Sequence, residues 1–200
     1  MKKKRKKTRH CKPKRKPHKA SPVQVPEEKK APASFARRLM GVQDNINTDY
    51  VISGRYKFSI QNPQELARHI FEDIDETFVK RLLTGDYLIA GENFGCGSSR
   101  EQAPLALKAA GIKAVIAQSF ARIFYRNSFN IGLTLVECNT KHIDDGDEIE
   151  LDLERSKVRN ISKGLVFDAK ALSPLIKKLL LDGGVIEHFK KYGGFSFEAA

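Results

Sequence analysis

The chain has 200 residues, 40% of them hydrophobic and 30% charged, enough for one domain with a substantial core. Its net charge of +12 sits at one end: residues 1–33 carry 14 of the 36 Lys and Arg and 2 of the 24 Asp and Glu, which leaves 22 of each sign elsewhere. These figures exclude a folded part that binds nucleic acid by its own net charge. The apolar runs are also too short for a transmembrane helix.

Cys11, Cys96 and Cys138 show no Cys-x-x-Cys spacing. An odd, scattered set points to reduced thiols and a cytoplasmic location. No signal-peptide apolar region follows the basic start.

Residues 1–33 are rich in Lys, Arg and Pro and nearly devoid of large apolar side chains. Such a segment cannot offset its ordering entropy, so a disordered tail is expected there, with the domain over 34–200. Two readings stand for the tail: an electrostatic arm for nucleic acid or another polyanion, and an extension with no specific role.

The domain should open with a strand over 35–42. Asp44-Asn45-Ile46-Asn47-Thr48-Asp49 reads as a polar turn, since the glycine and closing Glu of an EF-hand loop are missing. Tyr50-Val51-Ile52 reads as a short strand. Residues 53–60 alternate polar and apolar: Arg55 and Lys57 could bind a carboxylate, and Tyr56 or Phe58 could line an apolar pocket. Asn62-Pro63 opens a helix over 64–71 with Leu66, Ile70 and Phe71 on one face, and His69 falls among polar positions. A second short helix is expected over 75–83, with Phe78, Leu82 and Leu83 inward.

Tyr87-Leu88-Ile89-Ala90 is a buried strand that runs into Gly91-Glu92-Asn93-Phe94-Gly95-Cys96-Gly97-Ser98-Ser99-Arg100. A helix over 101–110, stopped by Gly111, and a strand over 114–117 complete a βαβ unit. The glycines let backbone approach a ligand closely, the helix start attracts anions, and Arg100 offers a fork that suits a carboxylate. Ser98 and Ser99 place two hydroxyls between them. A plainer reading is a tight turn in which Ser99 and Gln102 form a capping box. Neither the Gly-Lys-Ser/Thr of a P-loop nor G-x-G-x-x-G is present.

Beyond this unit, Ser119 is placed to cap a helix through Tyr125, on which Arg122 and Arg126 share a face. An irregular stretch over 127–133 and a strand over 134–137 follow. Asp144-Asp145-Gly146-Asp147 reads as a turn rather than a metal site. Segments 148–153, 157–161 and 165–167 form a small antiparallel sheet. Ser173-Pro174 opens a helix with Leu175, Ile176, Leu179 and Leu180 in its stripe, ended by Gly183-Gly184, and one more helical turn spans 185–191.

Three stretches carry a family resemblance, in order: residues 44–49, Asn93-Phe94-Gly95-Cys96-Gly97-Ser98-Ser99-Arg100-Glu101-Gln102-Ala103-Pro104, and Ser119-Phe120-Ala121-Arg122-Ile123-Phe124-Tyr125-Arg126-Asn127. Together they resemble the aconitase swivelling domain, in particular the separate small subunits of the 3-isopropylmalate dehydratase family. The resemblance spans about residues 35–190. It implies an α/β fold, a swivelling β/β/α domain with a mixed sheet.

It also implies a reaction: a hydroxyl moves between adjacent carbons of a substituted malate, by dehydration and rehydration, in leucine biosynthesis. Ser98 would be the base, acting as an alkoxide, and Arg100 would bind a substrate carboxylate. Asp49 would help the hydroxyl leave or organise the site. Ser99, Arg55, Tyr56 and Lys57 complete the implied substrate contacts, since residues 53–60 match the recognition loop. Homoaconitate, citramalate and 2,3-dimethylmalate are alternative substrates within the class, and a polyanion-binding protein using the tail is the alternative outside it.

Magnitudes argue for a partner. A helix N-terminus contributes about 0.3–1 kcal/mol to an exposed anion, each pKa unit costs about 1.4 kcal/mol, and a serine hydroxyl ionises far above neutral pH. A Lewis acid is needed, yet the three cysteines are too scattered to hold an iron–sulfur cluster. Cys96 beside Ser98 is a small packing residue or touches the cavity. The resemblance supplies the missing part, a [4Fe–4S] cluster on a separate large subunit, in a heterodimer or heterotetramer.

Overall fold

The computed structural model describes residues 34–39, 43–56 and 59–194. The expected tail, residues 1–33, and Lys57 and Phe58 of the recognition segment lie outside them. Seven strands form one mixed sheet. In chain order they are β1 (Ser34–Arg38), β2 (Tyr87–Ile89), β3 (Ala114–Ala117), β4 (Thr134–Glu137), β5 (Glu148–Asp152), β6 (Lys157–Asn160) and β7 (Leu165–Asp168). The spatial order is β4-β3-β2-β1-β5-β6-β7. Strands β1 to β4 pair in parallel, with Leu88 opposite both Arg37 and Val115, and β5, β6 and β7 continue from β1 in antiparallel fashion.

Of the parallel strands, β2 and β3 read as unbroken apolar runs because both of their faces are covered. Leu88, Val115, Ala117 and Leu135 point into one core, with Phe71, Phe78, Phe94, Leu107 and Phe124. Tyr87, Ile89, Ala114, Ile116 and Val136 point into the other, where Ile149 and Val158 of the antiparallel strands meet them. The sheet curls to bring these together: Cys138, just past β4, bridges Ala169, just past β7. Burial among these side chains pushes the Cys138 thiol up to about 12. Asp86 closes the β1–β2 edge from inside, accepting from Phe35 N at 3.1 Å, Arg37 Nε at 2.6 Å and Leu83 N at 2.9 Å.

The helices are α1 (Thr48–Val51), α2 (Pro63–Leu66), α3 (Phe78–Arg81), α4 (Gln102–Ala109), α5 (Arg122–Asn130), α6 (Pro174–Leu181) and α7 (Val185–Tyr192). The α/β class, the mixed sheet and the βαβ unit match the reading of the sequence. Several local expectations need correction. Residues 50–52 lie in and just beyond a helical turn rather than a strand, because the Asn47 side chain accepts from Tyr50 N at 2.9 Å and caps α1. Of the strand expected over 35–42, β1 ends at Arg38, where the backbone N–H turns to the Asp145 carboxylate at 2.8 Å, and residues 40–42 lie outside the described residues.

The helix expected over 64–71 is α2 followed by a 3-10 turn, Ala67–His69, after which the chain is extended at Ile70. The second short helix contracts to α3, and Leu83 is 57% exposed rather than inward, its N–H held by Asp86 in a tight turn. Ser119 does not cap α5: its Oγ accepts from Asn93 N at 2.8 Å, so α5 starts uncapped at Arg122 and runs through the stretch read as irregular, to Asn130. Among the described residues no helix is long and apolar enough to cross a membrane.

Candidate functional site

The loop over 91–100 leaves the end of β2 in the middle of the parallel half and is held in place by the turn over 43–48. Gly91 N donates to Gln43 O at 2.7 Å, Asn45 N to Glu92 O at 2.9 Å, Gly95 N to Ile46 O at 2.7 Å and Thr48 N to Cys96 O at 2.9 Å. Side chains add to this, with Glu92 N donating to Asp44 Oδ1 at 2.7 Å and Thr48 Oγ1 to Ser98 O at 2.8 Å. The expected polar turn is therefore the outer rail of the loop.

Two of the glycines are required by contact. A Cβ on Gly91 would fall on the Asp44 carboxylate, and one on Gly95, whose φ is +79°, would enter the Phe124 ring. From the other side, Phe94 N donates to Ser119 O at 3.0 Å and Ala121 N to Phe94 O at 2.9 Å. Phe94 meets Phe120 and Phe124 edge-on, at centroid separations of 6.1 and 5.2 Å. Turn, loop and α5 are thus one packed unit.

A cleft of about 250 Å³ opens between the loop and the first turn of α5, lined by Thr48, Ser98, Ser99, Arg100, Arg122 and Asn127 among others. Both serines are exposed. Arg100 is only 12% exposed and forms an ion pair with Asp49, itself 48% exposed. Its Nη1 donates to Ile52 O at 3.1 Å, and its Nε is buried without a hydrogen-bond partner among the described residues. Ser98, Ser99, Arg100 and Asp49, read from separate segments, are therefore brought together. The capping box is not formed: α4 starts after Glu101, with no side chain bonded to its first turn. Cys96 is half-buried, its Sγ set 3.4 Å from Asn45 O, and it does not line the cleft.

Arg55 and Tyr56 are not aimed at this pair. They lie in a 3-10 turn, Gly54–Tyr56, whose Gly54 abuts Arg100 and Asp49. The Arg55 guanidinium pairs with Asp73, and the Tyr56 hydroxyl donates to Glu72 at 2.8 Å. His69, read as a surface residue, stacks on Tyr56 at a centroid separation of 4.1 Å and shares Glu72 through Nδ1 at 2.6 Å. The hydrogen bond to Glu72, with burial second, raises the Tyr56 hydroxyl above its ordinary value. The bonds from His69 and Tyr56 hold Glu72 below the usual carboxylate range. Lys57 lies outside the described residues.

Thr48, Arg122 and Asn127 line the cleft without having been singled out for a role. Their membership in two of the three resembling stretches was the available signal. No group of three or more His, Cys, Asp and Glu side chains among the described residues could hold a metal ion.

Residues 43–141 match the aconitase C-terminal domain family. The 3-isopropylmalate dehydratase small subunit 2 of Archaeoglobus fulgidus is 49% identical over 150 residues, 75% of this chain and 91% of the relative. The small subunit of Brachyspira hyodysenteriae is 48% identical over 153 residues, 76% of this chain and 93% of the relative. The crystal structure of 3-isopropylmalate dehydratase from Methanocaldococcus jannaschii superposes with a TM-score of 0.76 at 43% identity, covering 80% of this chain and 94% of that one. With the loop, the turn and the curled mixed sheet arranged as described, and with relatives matched over nearly their whole length, this chain belongs to the 3-isopropylmalate dehydratase small-subunit family of hydro-lyases.

Proposed function

We propose that the chain is the small subunit of a heteromeric hydro-lyase that interconverts 2-isopropylmalate and 3-isopropylmalate by dehydration and rehydration. The observation that carries this is the cleft in which two exposed serine hydroxyls sit beside the Arg100–Asp49 pair. Arg100 binds a substrate carboxylate. Its buried Nε–H has no partner among the described residues, and a carboxylate is the acceptor that a guanidinium fork accommodates best. Asp49 and the Ile52 carbonyl hold that fork in one orientation before substrate arrives. Ser98 takes and returns the proton on the substrate carbon. Thr48 fixes the backbone at Ser98 by donating to its carbonyl, so the hydroxyl is presented from a rigid point. The choice among malates by their substituents is assigned to the segment of Arg55 and Tyr56, which borders the site through Gly54.

Cys96 and Cys138 are far from a thiolate cage: one is half-buried against a carbonyl, the other buried in the second core. A [4Fe–4S] cluster does not fit the described residues of this chain. It belongs to a separate large subunit, which supplies the Lewis acid that a serine base cannot replace. The named relatives are small subunits, which supports such a partner.

The test is reconstitution. The purified chain should be colourless and inactive, and should gain isopropylmalate turnover when mixed with an iron–sulfur large subunit. A panel of isopropylmalate, citramalate, homoaconitate and 2,3-dimethylmalate then ranks the substrates. Turnover by the isolated chain after all iron is removed would sink the two-subunit reading. Preference for another malate would move the substrate while keeping the reaction class.

A further inference from the structure

We infer that Arg122 is a second anion contact of the cleft and takes the other carboxylate of a dicarboxylate substrate; this rests on the reading of the cleft as the substrate site. Charge accounting leads there. Among the described residues, the only charged ones lining the cleft are Arg100 and Arg122. Arg100 is already matched by Asp49, so that pair is close to neutral, whereas a substituted malate brings two negative charges. The Arg122 side chain is exposed and makes no ion pair or hydrogen bond among the described residues. Among the described residues it is the one unmatched formal charge lining the cleft.

Its position agrees with that role. Arg122 is the first residue of α5, and no side chain caps this helix because Ser119 is committed to Asn93. The backbone N–H groups of the first turn therefore add positive character beside the guanidinium. The Gly95–Phe124 contact fixes this turn against the loop that bears Ser98 and Arg100. Two cations from separate elements would fix both ends of a dicarboxylate, and so its orientation over Ser98. Ile123, partly exposed on the same turn, gives the cleft apolar surface next to Arg122.

The experiment uses the reconstituted two-subunit enzyme with Arg122→Gln and Arg122→Lys. KM for isopropylmalate should rise about tenfold to a hundredfold in Arg122→Gln, the range for losing a charged hydrogen bond, with kcat changed by less than about threefold. Arg122→Lys should recover part of the loss. An exposed charge is screened, so the wild-type KM should rise with ionic strength and that of Arg122→Gln should rise less. An unchanged KM with unchanged salt dependence overturns the proposal. Failure of Arg122→Gln to co-purify with the large subunit also overturns it, by assigning the residue to the interface.

A second arm separates this from the reading beneath it. Malate is titrated into the isolated chain and the Arg122 and Ile123 amide resonances are followed. Shifts that vanish in Arg122→Gln support the contact even if the assembled wild-type enzyme does not turn over isopropylmalate, and absence of shifts in wild type counts against it.

Discussion

Ser98 and Ser99 are neighbouring hydroxyls with different attachments. The backbone of Ser98 is tied to Thr48, whereas Ser99 has neither that tie nor the capping bond expected of it. Ser98→Ala should therefore lower kcat of the reconstituted enzyme by orders of magnitude with a modest change in KM. Ser99→Ala should leave the melting temperature nearly unchanged, since no cap is lost. Arg100→Lys keeps the charge but cannot hold Asp49, the Ile52 carbonyl and a carboxylate in one plane, so KM should rise and kcat fall. Steady-state kinetics of the three variants, alongside thermal melts, decide the assignment. If Ser99→Ala loses kcat while Ser98→Ala retains it, the base is the other hydroxyl.

The elements around the site owe their positions to paired turns and caps rather than to helix propensity. α1 and α2 have only four residues each and are anchored by Asn47 and Asn62. At the far end, α6 and α7 are joined by Asp182, which meets Nδ1 of the fully buried His188 at 2.7 Å and Lys191 at 2.9 Å. These bonds, that of His188 first, hold the Asp182 carboxyl below its ordinary value of 3.8. A depressed carboxylate contributes its stability in full above the unfolded value and loses it as pH falls through the folded one. Melts of wild type and Asp182→Asn should therefore differ above pH about 4 and converge in acid. Parallel pH profiles would show that the pair does not link the two helices energetically.

On the scale of the whole molecule, the described part carries the curled sheet and the cleft, while the excess positive charge belongs to residues 1–33. Catalysis and charge should separate on truncation. Removal of residues 1–33 should leave reconstituted turnover within a few fold and abolish any salt-sensitive binding to nucleic acid. Loss of activity in a truncated chain that still folds would make the segment part of the enzyme.

What the sequence alone determined was local or compositional. β2, β3 and α4 were legible because their apolar runs, their glycine stop and their spacing lie within a few residues of one another. The loop was legible because its glycines and hydroxyls are contiguous. What only the tertiary structure decided depends on segments far apart in the chain. Tyr50 and Val51 look like strand residues, and only the Asn47 cap and the docking of residues 43–48 on 91–98 make them helical. Arg55 was a candidate for a carboxylate on the substrate and instead faces Asp73. Ser119 was a candidate cap and instead holds the loop. Arg122 looked like one of two arginines on a helix face until α5 was seen to open onto the cleft. Residue patterning reports which face of an element is apolar. It does not report which distant backbone amide or carboxylate a polar side chain will meet, because that partner is chosen only when the sheet closes and brings the turn, the loop and α5 to one place.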